Sequence, residues 1–230
     1  MRSLYYLLGV IIALFASLTE NSLAASLEEF MVADNERIES HSIQEYTSLW
    51  WQWASAMPDD VSAVQDTIGT YCGQAQQGQV WFLAGGYGSS KIHRHCTIPA
   101  DKYIFFPVIN MVAYPFEPKI HQAWDCEKAK KLAALNNDKL LKVSVQLDDV
   151  KAFNPFHTRY KSKDCFDLYA NVSQILRKEA NYPAASDGYW VMLKPLAKGK
   201  HHLSFTAQYD NPRHDYGKMY QDIEYDLVVN

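Results

Sequence analysis

Two histidines, His93 and His95, stand two residues apart in a stretch of strand-forming character. Side chains alternate faces along a strand, so both imidazoles project from one face. That spacing suits bidentate capture of a transition metal by neutral imidazole nitrogens. The third ligand stays open: His121, His157, His201, His202 and His214 are all available, and no spacing selects one. The same pair spacing recurs in cupin-like jelly rolls, but the glutamate expected downstream is missing, Asp101 falls in a turn, and no later Gly-His motif follows. His93 and His95 therefore mark an alternative reading, an exported hydrolase or metal-dependent enzyme, beside the plainer one of ordinary exposed histidines.

Other catalytic chemistry is weakly supported. No Gly-x-Ser-x-Gly elbow exists, and Gly88-Ser89-Ser90 lacks the strand–turn–helix setting that would expose a hydroxyl. Asp66, Glu117, Asp187 and Glu224 could each serve a glycosidase, yet nothing pairs two of them. Asp148-Asp149 reads as a solvated turn. No phosphate-binding loop and no cofactor motif is present. The net charge of −4 contains no basic patch for nucleic acid.

Cys72, Cys96, Cys126 and Cys165 are the only cysteines, and none forms a Cys-x-x-Cys pair. Behind an export signal they predict two disulfides, and the pairing Cys72–Cys96 with Cys126–Cys165 is favoured because each pair flanks one block of strands. Each bridge would be worth roughly 3 kcal/mol in the chain-entropy account. The export signal is residues 1–24: Arg2 gives a positive start, Leu4 to Leu18 a short apolar core, and Ser22-Leu23-Ala24 the small residues before a cut at Ala25. No later stretch is long and apolar enough for a membrane span. The location expected is periplasmic or extracellular. Residues 25–230 then read as one β-domain, large enough to stand on its own core.

Aromatic side chains make up 13% of the chain, with 15 tyrosines. Tyr87, Tyr114, Tyr160, Tyr182, Tyr209 and Tyr216 fall in expected turns and edges, where flat rings can stack on sugars or anchor an interface. Ser42-Ile43-Gln44-Glu45 is a capping box opening a helix that Pro58 ends. Tyr46, Leu49, Trp50, Trp53 and Met57 share one face of that helix, leaving Trp51 as the exposed member of a possible aromatic platform.

The remaining elements follow from periodicity. Val80 to Ala84, Ile92 to Ile98 and Tyr103 to Ile109 read as three strands of a meander, with Gly85, Gly86 and Gly88 in the first turn. Pro107 marks an edge or a bulge. Asp125 to Leu135 reads as a second short helix, and residues 25–40 as a loosely packed acidic arm. Leu141 to Leu147, Val150 to Phe153, Tyr189 to Leu193, His202 to Ala207 and Asp222 to Val229 read as further strands. The class predicted is mainly β: a β-sandwich, jelly-roll or immunoglobulin-like, with eight or nine strands and two short decorating helices.

Asp66-Thr67, Gly69, Cys72, Gln76, Gly78, Val80 to Gly85, Cys96-Thr97-Ile98-Pro99-Ala100 and Phe105-Phe106-Pro107-Val108-Ile109-Asn110 resemble a group of uncharacterised exported bacterial proteins. The resemblance extends to the Trp50–Trp53 helix and the C-terminal block, and implies no activity. Asp187 to Trp190 through Pro195-Leu196, Gly199, His201 and Leu203 resembles the strand–turn–strand of immunoglobulin-like bacterial modules, which bears on fold alone. The function expected is an exported, disulfide-stabilised, non-catalytic module that binds a glycan or protein surface through Tyr87, Tyr114 and Trp51. No oligomeric state follows from the sequence.

Overall fold

The structure is a computed structural model that describes residues 26–88, 90–115, 124–150, 154–173, 182–212 and 217–230. The proposed export signal, Glu117, the 151–153 strand segment and Tyr216 lie outside the described residues. Two four-stranded sheets form a β-sandwich. The strands are β1 (Val80–Phe82), β2 (Lys91–Ile98), β3 (Tyr103–Ala113), β4 (Leu140–Leu147), β5 (Arg159–Lys161), β6 (Ala185–Leu193), β7 (Gly199–Asp210) and β8 (Lys218–Val229). One sheet runs β1-β3-β6-β5 and the other β2-β8-β7-β4.

The expected meander is not formed. β1 pairs with β3 in parallel, while β2 crosses to the other sheet and pairs with β8 in parallel. Length and hydrophobicity identified all three strands, but hairpin pairing was inferred only from the shortness of the turns between them. The second turn, Pro99 to Lys102, joins strands of different sheets. Pro107 sits at a bulge, where the register between β3 and β6 shifts. It lies in a central strand.

β3 and β6 are apolar on both faces because both faces are covered. Toward the second sheet, Phe106 stacks on Phe205 with ring centroids 4.9 Å apart. Toward the outside, Phe105 and Trp190 stack on each other at 5.2 Å, beneath α2 (Ile43–Ala56). Ser42 accepts the Glu45 N–H, and the Glu45 carboxylate accepts the Ser42 N–H at 2.8 Å. These capping-box bonds, with help from Lys163 and Arg37, hold Glu45 down to a pKa of about 2. Trp50 donates to the Leu83 carbonyl and Trp53 to the Gln74 carbonyl, so each indole buries its ring without orphaning its N–H. Trp51 is half-buried: its N–H reaches the Ser186 hydroxyl of β6 at 3.1 Å. The exposed position expected for it is therefore corrected.

Two other expectations change. Residues 26–38 are docked, with Leu27 of the short helix α1 (Leu27–Phe30), Val32 and Ile38 all buried and Met31 bridging to Leu193. Helix α3 (Cys126–Ala134) starts from an Asp125 cap that accepts the Lys128 N–H, as its sequence predicts. There are thus three α-helices among the described residues. Both disulfides pair as favoured, Cys72–Cys96 and Cys126–Cys165. The first ties the loop before β1 to β2; the second ties α3 to the segment after β5.

Removing the Trp53 ring from this layer, in Trp53→Ala, will lower the unfolding free energy by about 3–5 kcal/mol. Trp51→Ala will cost clearly less, because its ring is only partly withdrawn from water. Urea unfolding with the disulfides intact compares the two, and equal midpoint shifts would show the helical face to be misassigned.

Candidate functional site

One end of the sandwich opens into a cleft of about 570 Å³. α2 supplies one wall through Trp51 and Ser55, the 85–88 loop a second through Tyr87, and the end of β3 the floor through Asn110 and Tyr114. Asp59, Gln65 and Tyr169 stand at its polar margin. The three residues that sequence reasoning chose for binding, Trp51, Tyr87 and Tyr114, thus line one concavity although they lie up to 63 positions apart (114 − 51). Tyr87 is 61% exposed. Partial burial still raises the pKa of its phenol, and Asp59 and Tyr169 nearby add to the rise. Tyr114 is half-buried.

The cleft holds its shape through a buried polar frame. Arg94 lies between the outward-facing His93 and His95, so strand alternation turns it inward, where it is 1% exposed. Its Nε donates to the Asp66 carbonyl at 2.7 Å, one Nη to the Ala84 carbonyl and the Tyr225 hydroxyl at 3.0 and 2.9 Å, and the other Nη to the Val64 carbonyl at 3.3 Å. Tyr225 in turn donates to the Ala84 carbonyl and accepts the Ala84 N–H. Burial pushes the Tyr225 phenol up and the Arg94 charge partly offsets that. Burial also works against the charge on Asp66, but N–H groups of Tyr71, Ile68 and Gly69 outweigh it and lower the pKa of the carboxyl.

A second buried side chain secures the tyrosine-bearing loop. Gln221 of β8 accepts the Gly86 N–H at 2.7 Å and donates to the Val108 carbonyl of β3 at 3.2 Å. A Cβ at Gly85 would stand 2.7 Å from the Gln221 oxygen, so a larger residue there would push this side chain out of its place. Asn110 lines the cleft floor, and its Nδ2 is buried with no hydrogen-bond partner among the described residues. A buried amide nitrogen without an acceptor is uncommon.

The remaining tyrosines divide. Tyr160 is a core residue with its hydroxyl on Asp34, Tyr209 is buried yet also lines the cleft, and Tyr182 is exposed away from it. Asp187, a sequence candidate for acid–base work, is 1% exposed and clasped by Arg159 through both carboxylate oxygens. Glu224 pairs with Lys91 at 2.8 Å. These carboxylates are committed to structure.

His93 and His95 do lie together on the outer face of β2, ring centroids 4.9 Å apart. Sequence reasoning missed their partner, Asp226 of β8, which is directly opposite His95 in the register. It could have been found only by knowing that β2 and β8 pair in parallel. Asp148 is also more than a solvated turn: it accepts the His202 N–H and the His201 Nδ1, both at 2.7 Å. Burial disfavours charge on His201, yet Asp148 and the Ala197 carbonyl outweigh it and raise its pKa.

No protein-family model, curated protein or solved structure matches this chain.

Gln221→Leu will leave the Gly86 N–H and the Val108 carbonyl dry and lower stability by about 1–3 kcal/mol. Denaturant unfolding monitored by tryptophan fluorescence measures this, and an unchanged midpoint would mean that the loop is held by something else.

Proposed function

We propose that the protein is an exported, non-catalytic module that binds a short glycan in the cleft bounded by Trp51, Tyr87 and Tyr114. The observation that carries this reading is that those three aromatic residues, with Asn110, line one cleft of about 570 Å³. Pyranose rings present flat C–H faces and a rim of hydroxyls. Aromatic faces suit the former, and Asn110, Gln65 and Asp59 suit the latter. A cleft of this size takes a small ligand, whereas a standard protein contact needs about 800 Å² of each partner. The buried frame around Arg94 and Gln221 supports pre-organised walls, which lowers the ordering cost on binding.

Export is supported by two disulfides and by the apolar N-terminal segment of the sequence. No helix among the described residues is long and apolar enough to cross a membrane. The family resemblance adds no activity, but its residues have legible structural jobs. Gln76 exchanges two hydrogen bonds with the Phe82 backbone, and Asp66 caps the turn that follows it. Those motifs fit a shared scaffold.

A glycan array followed by titration of the hits tests the reading. Wild type will bind, and Tyr87→Ala and Tyr114→Ala will each weaken binding by about two- to tenfold or more, the loss of one stacked ring. Equal binding by wild type and both variants would refute the placement. Capture of a protein from the cell surface with no glycan bound would move the function to a protein partner. Turnover of a tested polymer, lost in His93→Ala/His95→Ala, would refute the non-catalytic reading.

A further inference from the structure

On the outer face of the second sheet, three neighbouring strands bring imidazoles around a single carboxylate. The order β2-β8-β7 places Asp226 in the middle strand, and the register sets His95 opposite it on one side and His202 on the other. His93 stands one pleat along from His95, on the same face. The contacts are His93 Nε2 to Asp226 Oδ2 at 2.8 Å, His95 Nδ1 to the same oxygen at 3.3 Å, and His202 Nδ1 to Oδ1 at 2.9 Å.

We propose that His93, His95 and Asp226 bind one divalent transition-metal cation of the zinc class, with His202 positioning the carboxylate. Donor atoms of the three ligands already lie within 4.8 Å of one another. Tetrahedral ligands about 2.0 Å from zinc stand roughly 3.3 Å apart, so the donors close by about 1.5 Å at most. Exposed side chains cover that distance by small rotations about their own bonds, with the strands fixed. Two imidazoles and one carboxylate leave room for water on the open side, and this nitrogen-rich set selects transition metals over calcium or magnesium, which prefer oxygen.

His202 has a different part. It holds the second carboxylate oxygen from the far side, as hydrogen-bonded partners of metal-bound carboxylates do. His201, next in sequence, is excluded: its Nδ1 faces the Asp148 carboxylate and its Nε2 the Ala197 carbonyl at 2.8 Å, so both nitrogens are taken. The site shares no residue with the aromatic cleft, and the two readings stand or fall separately.

The test is calorimetric titration of zinc into tag-free protein previously dialysed against a chelator. One site per chain is expected, with micromolar or tighter affinity, and no heat from calcium at the same concentration. His93→Ala, His95→Ala and Asp226→Asn will each weaken zinc binding at least tenfold. His202→Ala will retain one site and weaken it about tenfold, the usual scale for loss of an outer partner. His201→Ala and Tyr87→Ala will leave it unchanged. The metal-free thermal midpoint of each variant checks that the fold survives, as these side chains are on the surface. Absence of a one-to-one zinc site in the wild type would overturn the proposal. So would wild-type affinity in a folded His93→Ala/His95→Ala variant.

Discussion

The guanidinium of Arg94 is the constraint on which much of this structure depends. A buried charge is tolerated only where its donors are satisfied. Here the acceptors are three backbone carbonyls and a tyrosine hydroxyl, drawn from three separate parts of the chain. Val64 and Asp66 belong to the loop after α2, Ala84 to the segment after β1, and Tyr225 to β8, where it stands opposite Arg94 in the same sheet. Five fixed donors in a planar fork can meet such a set, and a lysine could not. Among the described residues no carboxylate forms an ion pair with Arg94; oriented dipoles take its hydrogen bonds, and the Asp66 carboxylate adds a favourable charge nearby.

Around that frame the two faces of β2 have separate tasks. Ile92, Arg94, Cys96 and Ile98 point inward, into the core, the polar frame and the first disulfide. Lys91, His93 and His95 point outward, against the acidic outer face of β8. One strand therefore stabilises the cleft end of the sandwich through its inner side chains and presents chemistry to solvent through its outer ones. The glycine-rich loop between β1 and β2 carries Tyr87 at the point where the chain leaves one sheet for the other.

Local patterns in the sequence were readable where a single element decided them. The Ser42 cap, the inner face of α2, the Asp125 cap and the alternation along β7 and β8 all appear as their residue spacing implies. The disulfide pairs came out as favoured, although the strands that each pair brackets are divided between the two sheets. Non-local strand pairing was not readable. Nothing within Val80 to Ile98 reveals that β1 and β2 belong to different sheets, since both segments are apolar runs bounded by turns. Asp226 escaped notice for the same reason, being 131 residues from His95 (226 − 95) yet adjacent to it across a parallel ladder. Arg94 was hidden in plain alternation: a charged residue between two exposed histidines looks like surface until its face is known. The cleft was legible in its rings, Trp51, Tyr87 and Tyr114, while its floor, set by Asn110 opposite Gly188, required the β3–β6 register.

Arg94 keeps the cleft end of the sandwich in one piece. Hydrogen exchange of wild type against Arg94→Met, which keeps the straight chain and removes the fork, tests that most directly. Amides across 62–69 and 83–88, including Ala84 and Gly86, will exchange at least about tenfold faster in the variant, as dry acceptors there reopen to water. Protection in the centre of β3 and β6 should remain. Unchanged exchange across those two segments, in a variant otherwise folded, would contradict it.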